Sequence, residues 1–572
     1  MSPAGFETGE SQTAACPQRT WIAAGYVIRL LILFGITFAL QYASGAFLDG
    51  YSSYRDEPSH YVTSLMMRDF LATGLPVRDA VRFAENFYLH YPKVGLGHWP
   101  PAGYCFYGVW MLLFGPSRMS ALLAEAFLTA CCALLLYEVA RRAGLNAVIA
   151  HGIAISFVLL PIVQAHNDMV MLEVPLTFWS FAAALALVRL FERDRWFDGV
   201  LFGLLTSLAI MTKGNGWALP AMVPITILLT RRYREFFNRR LWHAAALTAT
   251  VCVPLTFWSL KMVKDGWAAD GPSIHLTALA LPRLGSYLFT MIGPVFSAFL
   301  IAGVIARIIL PLRRKATLDT FWAVIASYVL AAWMFHAIVP TGVEPRKLFT
   351  VIPALLLFAG AGMEFMIKWW PTLLRTSRAV PLAAAITLAF VATTVRVERR
   401  YCAAMTRAVE FLLARSELSG TAFFVSSISD GEGRFIAELA EREVWPHDYV
   451  VRATKMVADT NWLSTSYRLR YSTPEQITLA LANVPIGIVV VHTEEGCPLM
   501  PHHSLVASAM ADTSKWEKIY CDHARCPRHR RGEQIDIYQY RLAPIRRPVH
   551  LEVDLQNKIG QTLRLENLGT EH

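Results

Sequence analysis

Apolar runs recur between Trp21 and about Val397, most of them roughly 17 to 25 residues long, which is the length a helix needs to cross a hydrocarbon core about 30 Å thick. Inside such a core only helices and closed barrels satisfy every backbone N–H and C=O, and these runs are continuous rather than alternating. They therefore predict eleven spans. These lie near 22–42, 120–140, 146–163, 174–190, 198–212, 215–229, 243–260, 286–308, 321–338, 348–366 and 380–397. Composition agrees, with 55% hydrophobic and 17% charged residues and a mean hydropathy of +0.38. The expected fold class is an α-helical polytopic membrane protein with about 11 to 13 transmembrane helices and a small C-terminal α/β domain. The expected divisions are an N-terminal tail 1–20, a membrane module 21–399, a soluble domain 400–545, where the composition turns polar, and a tail 546–572. Trp21–Leu40 runs on without a small-residue cleavage site and reads as a signal anchor.

The formal net charge of +10 comes from Lys and Arg in short runs between the spans, not from one basic face, so membrane topology explains it and no nucleic-acid partner is expected. Arg141 and Arg142, Arg193 and Arg195, Arg231, Arg232 and Arg234, Arg313, Arg314 and Lys315, and Lys368, Arg375 and Arg378 all fall on one side. By the positive-inside rule that side is the cytoplasm. The N-terminus is then cytoplasmic, the C-terminal domain is extracytoplasmic, and the expected location is the inner membrane. Ala102–Phe114 is also apolar, but counting it as a span inverts everything after it, so it is predicted to lie half-inserted on the outer face behind Pro100 and Pro101.

With that topology the unusual polar residues gather on the outer face. Asp56 and Glu57 are adjacent carboxylates whose mutual repulsion near an apolar boundary raises at least one pKa, which suits proton acceptance; a solvated acidic helix start is the plainer alternative. Asp168 and Glu173 flank the start of a span, where charge at membrane depth marks function or an N-terminal cap. Lys213, followed by Gly214 and Gly216, offers a cation beside backbone that permits close approach, or a snorkelling lysine. Arg346 and Lys347 put two more cations outside, suited to an anionic head group or merely to solvation.

At these positions the chain resembles the membrane glycosyltransferases that include the protein O-mannosyltransferases and the aminoarabinose transferase acting on lipid A, of the GT-C type. The resemblance is carried in order by Asp56-Glu57 with Tyr61 and Asp69-Phe70-Leu71-Ala72-Thr73-Gly74, by His98-Trp99-Pro100-Pro101-Ala102-Gly103-Tyr104, and by Leu172-Glu173-Val174-Pro175-Leu176. Met211-Thr212-Lys213-Gly214 and Glu344-Pro345-Arg346 followed by Pro353 complete it. Trp99 stands where the aminoarabinose enzymes place a lysine, and Lys347 where an aromatic residue is frequent.

The resemblance implies a polyprenyl-phosphate-linked sugar as donor and a lipid, glycan or protein hydroxyl as acceptor. An outward-facing site agrees, because nucleotide sugars are cytoplasmic. Asp56 would take the acceptor proton as the hydroxyl attacks the anomeric carbon opposite the phosphate, with inversion, and Glu57 would orient it. Lys213 and Arg346, assisted by Lys347 or His98, would neutralise the phosphate; Glu173 would hold acceptor or cation. His60, His98 and His166 are candidate ligands on the same face and the two outer carboxylate sites could hold a divalent metal, but no metal-ligand spacing appears, so the expectation is that no cofactor is required and the metal is the weaker alternative. The rival class is a transporter or lipid flippase; no inverted repeat supports it, and the charges lie in outer loops rather than at the midplane.

In the C-terminal domain, strand-like runs at Ala422–Val425, Ile486–Val491 and Ile535–Tyr540 alternate with helical stretches at Arg434–Glu441 and Glu475–Ala482. Asp430-Gly431-Glu432-Gly433 between a strand and a helix has a phosphate-cradling shape without the full glycine fingerprint. Cys497, Cys521 and Cys526 with His502, His503, His523 and His529 suggest metal, but an oxidising compartment favours a disulfide, expected between Cys521 and Cys526.

Overall fold

The computed structural model describes residues 17–564 apart from 53, 96, 263–270, 370–378, 400, 428–429, 460–466, 527–530, 549–550 and 555–561. Arg375, Arg378, His529 and most of the tail at 1–20 fall outside them. Seven described helices are long and apolar enough to cross a membrane: Ala24–Ser44, Arg118–Arg142, Glu173–Arg193, Arg239–Lys261, Gly293–Arg313, Thr320–Ile338 and Pro345–Lys368. Ala147–Leu159 and Pro161–Asn167 form an eighth as a pair bent by 55° at Leu160, where Pro161 cannot continue the ladder.

The remaining expected spans are short or broken. Trp196–Thr212 has 17 residues, and the run at 215–229 is a 3₁₀ segment, Gly214–Ala221, carrying Pro220, followed by the nine-residue helix Met222–Thr230. The last run appears as Ala379–Thr393. Ala102–Phe114, at 13 residues, is about 20 Å long, shorter than a bilayer core.

Two glycines let two of the long helices touch. A Cβ on Gly303 would collide with the carbonyl of Phe358, and one on Gly362 with that of Phe299, so both backbones approach through missing side chains.

The first outer loop, left as loop by the sequence pattern, folds into helices Glu57–Thr73 and Ala80–His90. Pro58 starts the first, and Gly74, at φ +65°, ends it. Their buried aromatics, among them Tyr61, Phe87 and Tyr91, share one apolar core with the C-terminal domain. That domain carries a five-stranded sheet in the order β2-β1-β5-β7-β6, where β1 is Ala422–Ser426, β2 Tyr449–Arg452, β5 Ile488–Glu494, β6 Trp516–Cys526 and β7 Arg531–Tyr540. β1 runs parallel to β2 and β5, and β7 antiparallel to β5 and β6. The intervening β3 (Ala458–Asp459) and β4 (Arg468–Leu469) form a small ribbon. Helices Gly431–Arg442 and Pro474–Asn483 lie where helical stretches were expected; β2 and β6 were not foreseen.

The expected Cys521–Cys526 bridge is not formed. Both residues sit on β6, five positions and so about 17 Å apart along an extended strand, far beyond disulfide reach. Cys526 bonds instead to Cys402, with 5.1 Å between the Cα atoms, fastening the segment that leaves the membrane helices to the sheet edge.

Candidate active site

Asp56 caps the Glu57–Thr73 helix, and successive helical residues point about 100° apart. The neighbouring carboxylates therefore part company. Asp56 Oδ2 meets Arg346 Nη1 at 3.2 Å, while Glu57, fully buried, accepts from Arg118 Nε at 2.9 Å and Nη2 at 2.7 Å and from the Val170 amide at 3.2 Å. Tyr61, one turn on, follows Glu57: it is buried, packs on Tyr51 and donates to the Pro116 carbonyl. Glu57, expected to orient Asp56, and Tyr61, expected at the substrate, thus brace the helix that carries Asp56. Asp168 ends the Pro161–Asn167 helix, and its carbonyl accepts from the same Arg118 at 3.2 Å.

Four residues distant in sequence do converge. Glu173 opens its span and accepts from Lys213 Nζ at 2.5 Å, and both act electrostatically with Arg346 and with the Asp56–His60 turn. Lys213 reaches this place because the chain folds straight back at Gly216, where a Cβ would lie 2.5 Å from the amide nitrogen of Ile210. Arg346 is oriented by Glu344 at 2.5 Å and lies 4.6 Å over the Tyr54 ring. Lys347 faces Lys213 and Arg346 and has no ion pair among the described residues.

The outer loops complete the surroundings. His60 Nδ1 and the Tyr104 hydroxyl are 2.8 Å apart, and the His60 ring lies 4.4 Å from Trp99, which in turn meets His98 edge-on at 4.3 Å. Burial drives His60 down to about 3 and His98 to about 4, so both are neutral at neutral pH. Burial also pushes Asp56 up, but the opposing charges win and hold it below the ordinary carboxylate value. The opposing charges are His60 first, then Arg346 and Lys213. Asp56 is thus an ionised carboxylate, 14% exposed, paired with Arg346 and within electrostatic reach of Lys213. Glu173 Oε2 and His60 Nε2 are buried with no hydrogen-bond partner among the described residues.

Sequence reasoning missed two residues. Arg118 follows Pro116-Ser117 at the head of a span and gave no hint of its partner. Lys93, buried against Gly433 of the C-terminal domain and driven to about 8 by burial and then by Arg452, lies in electrostatic reach of Asp56. The C-terminal domain also fixes the loop before Asp56: Cys402 N donates to Asp49 at 3.1 Å, Gly50 N to the Cys402 carbonyl at 3.0 Å, and Arg434 Nε to the Gly50 carbonyl at 3.2 Å.

The groups of metal-ligand type, Cys402, Cys526 and Glu533 and then His492, Glu494 and Glu533, lie in this domain. They are otherwise engaged, the cysteines with each other and Glu533 with Arg434 at 2.8 Å. His502 pairs with Tyr467 and His503 with Ser426.

Comparison with known proteins agrees with this architecture. Residues 111–262 match the family model described as dolichyl-phosphate-mannose-protein mannosyltransferase, a stretch that contains Glu173 and Lys213. A crystal structure of ArnT from Cupriavidus metallidurans in the apo state superposes with a TM-score of 0.54 at 15% identity, covering 90% of this chain and 98% of that one. The same protein bound to undecaprenyl phosphate gives 0.46 at 15% identity over the same shares. The archaeal oligosaccharyltransferase AglB from Archaeoglobus fulgidus, in complex with an inhibitory peptide and a dolichol-phosphate, gives 0.49 at 10% identity over 83% and 70%. The fold argument rests on the first. No curated protein matches the sequence.

Fold and family match agree on one class: a stretch of this multi-helix chain matches a glycosyltransferase family model, and the whole chain has the fold of a membrane glycosyltransferase structure. Its similarity to the protein O-mannosyltransferases extends over residues 111–262, and its similarity to ArnT is one of fold, in line with the order of its motifs.

Proposed function

We propose that the protein transfers a sugar from a polyprenyl-phosphate carrier to an acceptor hydroxyl at the outer face of the cytoplasmic membrane, with inversion. The observation that carries this is the meeting of Asp56 with Arg346, and of Glu173 with Lys213, at one end of the helix bundle. A carboxylate that must take a proton lies beside cations that suit a phosphate leaving group, and the matched family is described by a dolichyl-phosphate sugar.

Asp56, already ionised, accepts the acceptor's proton as its oxygen attacks the anomeric carbon, a contribution of roughly 10² to 10⁴ in rate. The carbon–oxygen bond to the phosphate breaks, and the electron pair leaves on the phosphate. Lys213, Arg346 and Lys347 stabilise that charge through charge-assisted hydrogen bonds, which are strong where water is scarce. Glu173 holds Lys213 in place and offers its second oxygen inward. His98 and Trp99 form the wall beside the sugar.

The test supplies purified full-length protein in liposomes with a labelled undecaprenyl-phosphate sugar and follows released undecaprenyl phosphate. Release that depends on the enzyme, with Lys213→Met and Arg346→Met weakening donor binding at least tenfold, supports the proposal. Donor binding unchanged in both variants contradicts the placement of the phosphate.

A further inference from the structure

The helices Glu173–Arg193 and Trp196–Thr212 carry the cluster at one end; at their other end, about 30 Å away along 21 residues, they meet at Asp194 beside a cavity of about 550 Å³. Asp194, Arg234, Glu235, Phe237, Arg239 and Arg240 are among its walls. The acids there are already engaged. Asp194 is paired with Arg240 and accepts from Asn238 Nδ2 at 3.0 Å, and Glu235 accepts from the same amide nitrogen at 2.8 Å. That network fixes the walls and leaves Arg234 and Arg239 without an ion pair among the described residues.

The surroundings are aromatic and uncovered. Trp196, Phe197, Tyr233, Phe236, Phe237 and Trp242 all stand exposed, Phe237 at 84%, and Trp242 is oriented by donating its indole N–H to the Phe236 carbonyl at 2.9 Å. Exposed aromatics at the ends of membrane helices mark the head-group level of a bilayer. Basic pockets at that level suit anionic head groups, and a guanidinium matches a phosphate with two hydrogen bonds at once.

We propose that this cavity binds the head group of an anionic phospholipid in the leaflet opposite the candidate active site. Arg234 and Arg239 take the phosphate, and the exposed rings lie along the acyl chains. The site is independent of the transfer reaction.

The test measures the melting temperature of the full-length protein in detergent during titration with dioleoylphosphatidylglycerol, dioleoylphosphatidylcholine or inorganic phosphate. The anionic lipid is expected to give a saturable rise of several degrees, the other two none. Arg234→Gln/Arg239→Gln is expected to lose that rise, and Arg313→Gln/Arg314→Gln, basic residues elsewhere on the surface, to keep it. An equal rise with phosphatidylcholine, a rise with phosphate alone, or equal losses in both double variants overturns the proposal. Native mass spectrometry of the unaltered protein gives a second reading that needs no variant: preferential retention of phosphatidylglycerol supports the site, and equal retention of both lipids overturns it.

Discussion

Replacing Arg118 by Met strands a buried carboxylate, and the size of the effect follows from the contacts. The guanidinium donates to Glu57 twice, to the Ala46 carbonyl and to the Asp168 carbonyl, and lies 3.7 Å from Asp49. Asp49 keeps its hydrogen bonds from Ser52 and the Cys402 amide. Glu57 keeps only the Val170 amide among the contacts described above, and its second oxygen already lacks a partner among the described residues. Burial pushes Glu57 above its ordinary 4.5 even with Arg118 opposing, so without the cation it takes up a proton in the folded state. Holding that proton costs up to about 3 kcal/mol at pH 7 and about 1 kcal/mol at pH 5.5, part of which the unaltered protein, with Glu57 already raised, also bears. The Asp168 carbonyl, which loses its Arg118 donor, and the Ala46 carbonyl, which keeps only the Asp49 amide, add a pH-independent loss of about 1 to 3 kcal/mol. The sign is fixed: the variant's folded state binds a proton that its unfolded state releases above 4.5, so its deficit grows as pH rises. Denaturant unfolding in detergent at both pH values measures it. Glu57→Gln/Arg118→Met, with no carboxylate to strand, should recover the pH-dependent part. A deficit equal at pH 5.5 and pH 7 refutes the reasoning.

Because the cations hold Asp56 below the ordinary carboxylate value and burial keeps His60 and His98 neutral, the profile of kcat/KM against pH should stay flat from pH 5 to 7 and fall only as pH drops through the depressed Asp56 value; a limb near 6.5 contradicts this. Gly362→Ala puts a methyl group against the Phe299 carbonyl and should destabilise the protein by about 1 to 3 kcal/mol, read as a lowered melting temperature, whereas Gly152→Ala, in the Ala147–Leu159 helix with open space around it, should not. Cys526→Ser removes a bridge closing a separation of 124 residues and should cost about 2 to 4 kcal/mol on unfolding, with reducing agent producing the same loss in the unaltered protein but none in the variant.

The membrane module was legible because continuous apolar length is a local signal, and the parallel strands Ala422–Ser426 and Ile488–Glu494 because each contains an unbroken apolar run, at 422–425 and 488–491. Strand β6 was not, since it pairs only with β7 at the sheet edge and much of it is solvent-facing. The motif residues Asp56, Glu173, Lys213 and Arg346 were picked out correctly as unusual polar residues, yet their pairing is a property of the bundle and is written nowhere in the spacing. Asp56 and Glu57 meet different partners because Pro58 marks a helix start, and a helix turns adjacent side chains apart. The bridge from Cys402 to Cys526 joins residues on either side of the whole domain, a distance no local pattern encodes.

Single-turnover transfer from an undecaprenyl-phosphate sugar by Asp56→Asn, with donor affinity measured on the same preparation, bears most directly on the account. A rate lower by about 10² to 10⁴ with donor affinity within a few-fold of the unaltered enzyme is the predicted result. Turnover equal to that of the unaltered enzyme would contradict Asp56 as the proton acceptor and, with it, the reading of the whole cluster.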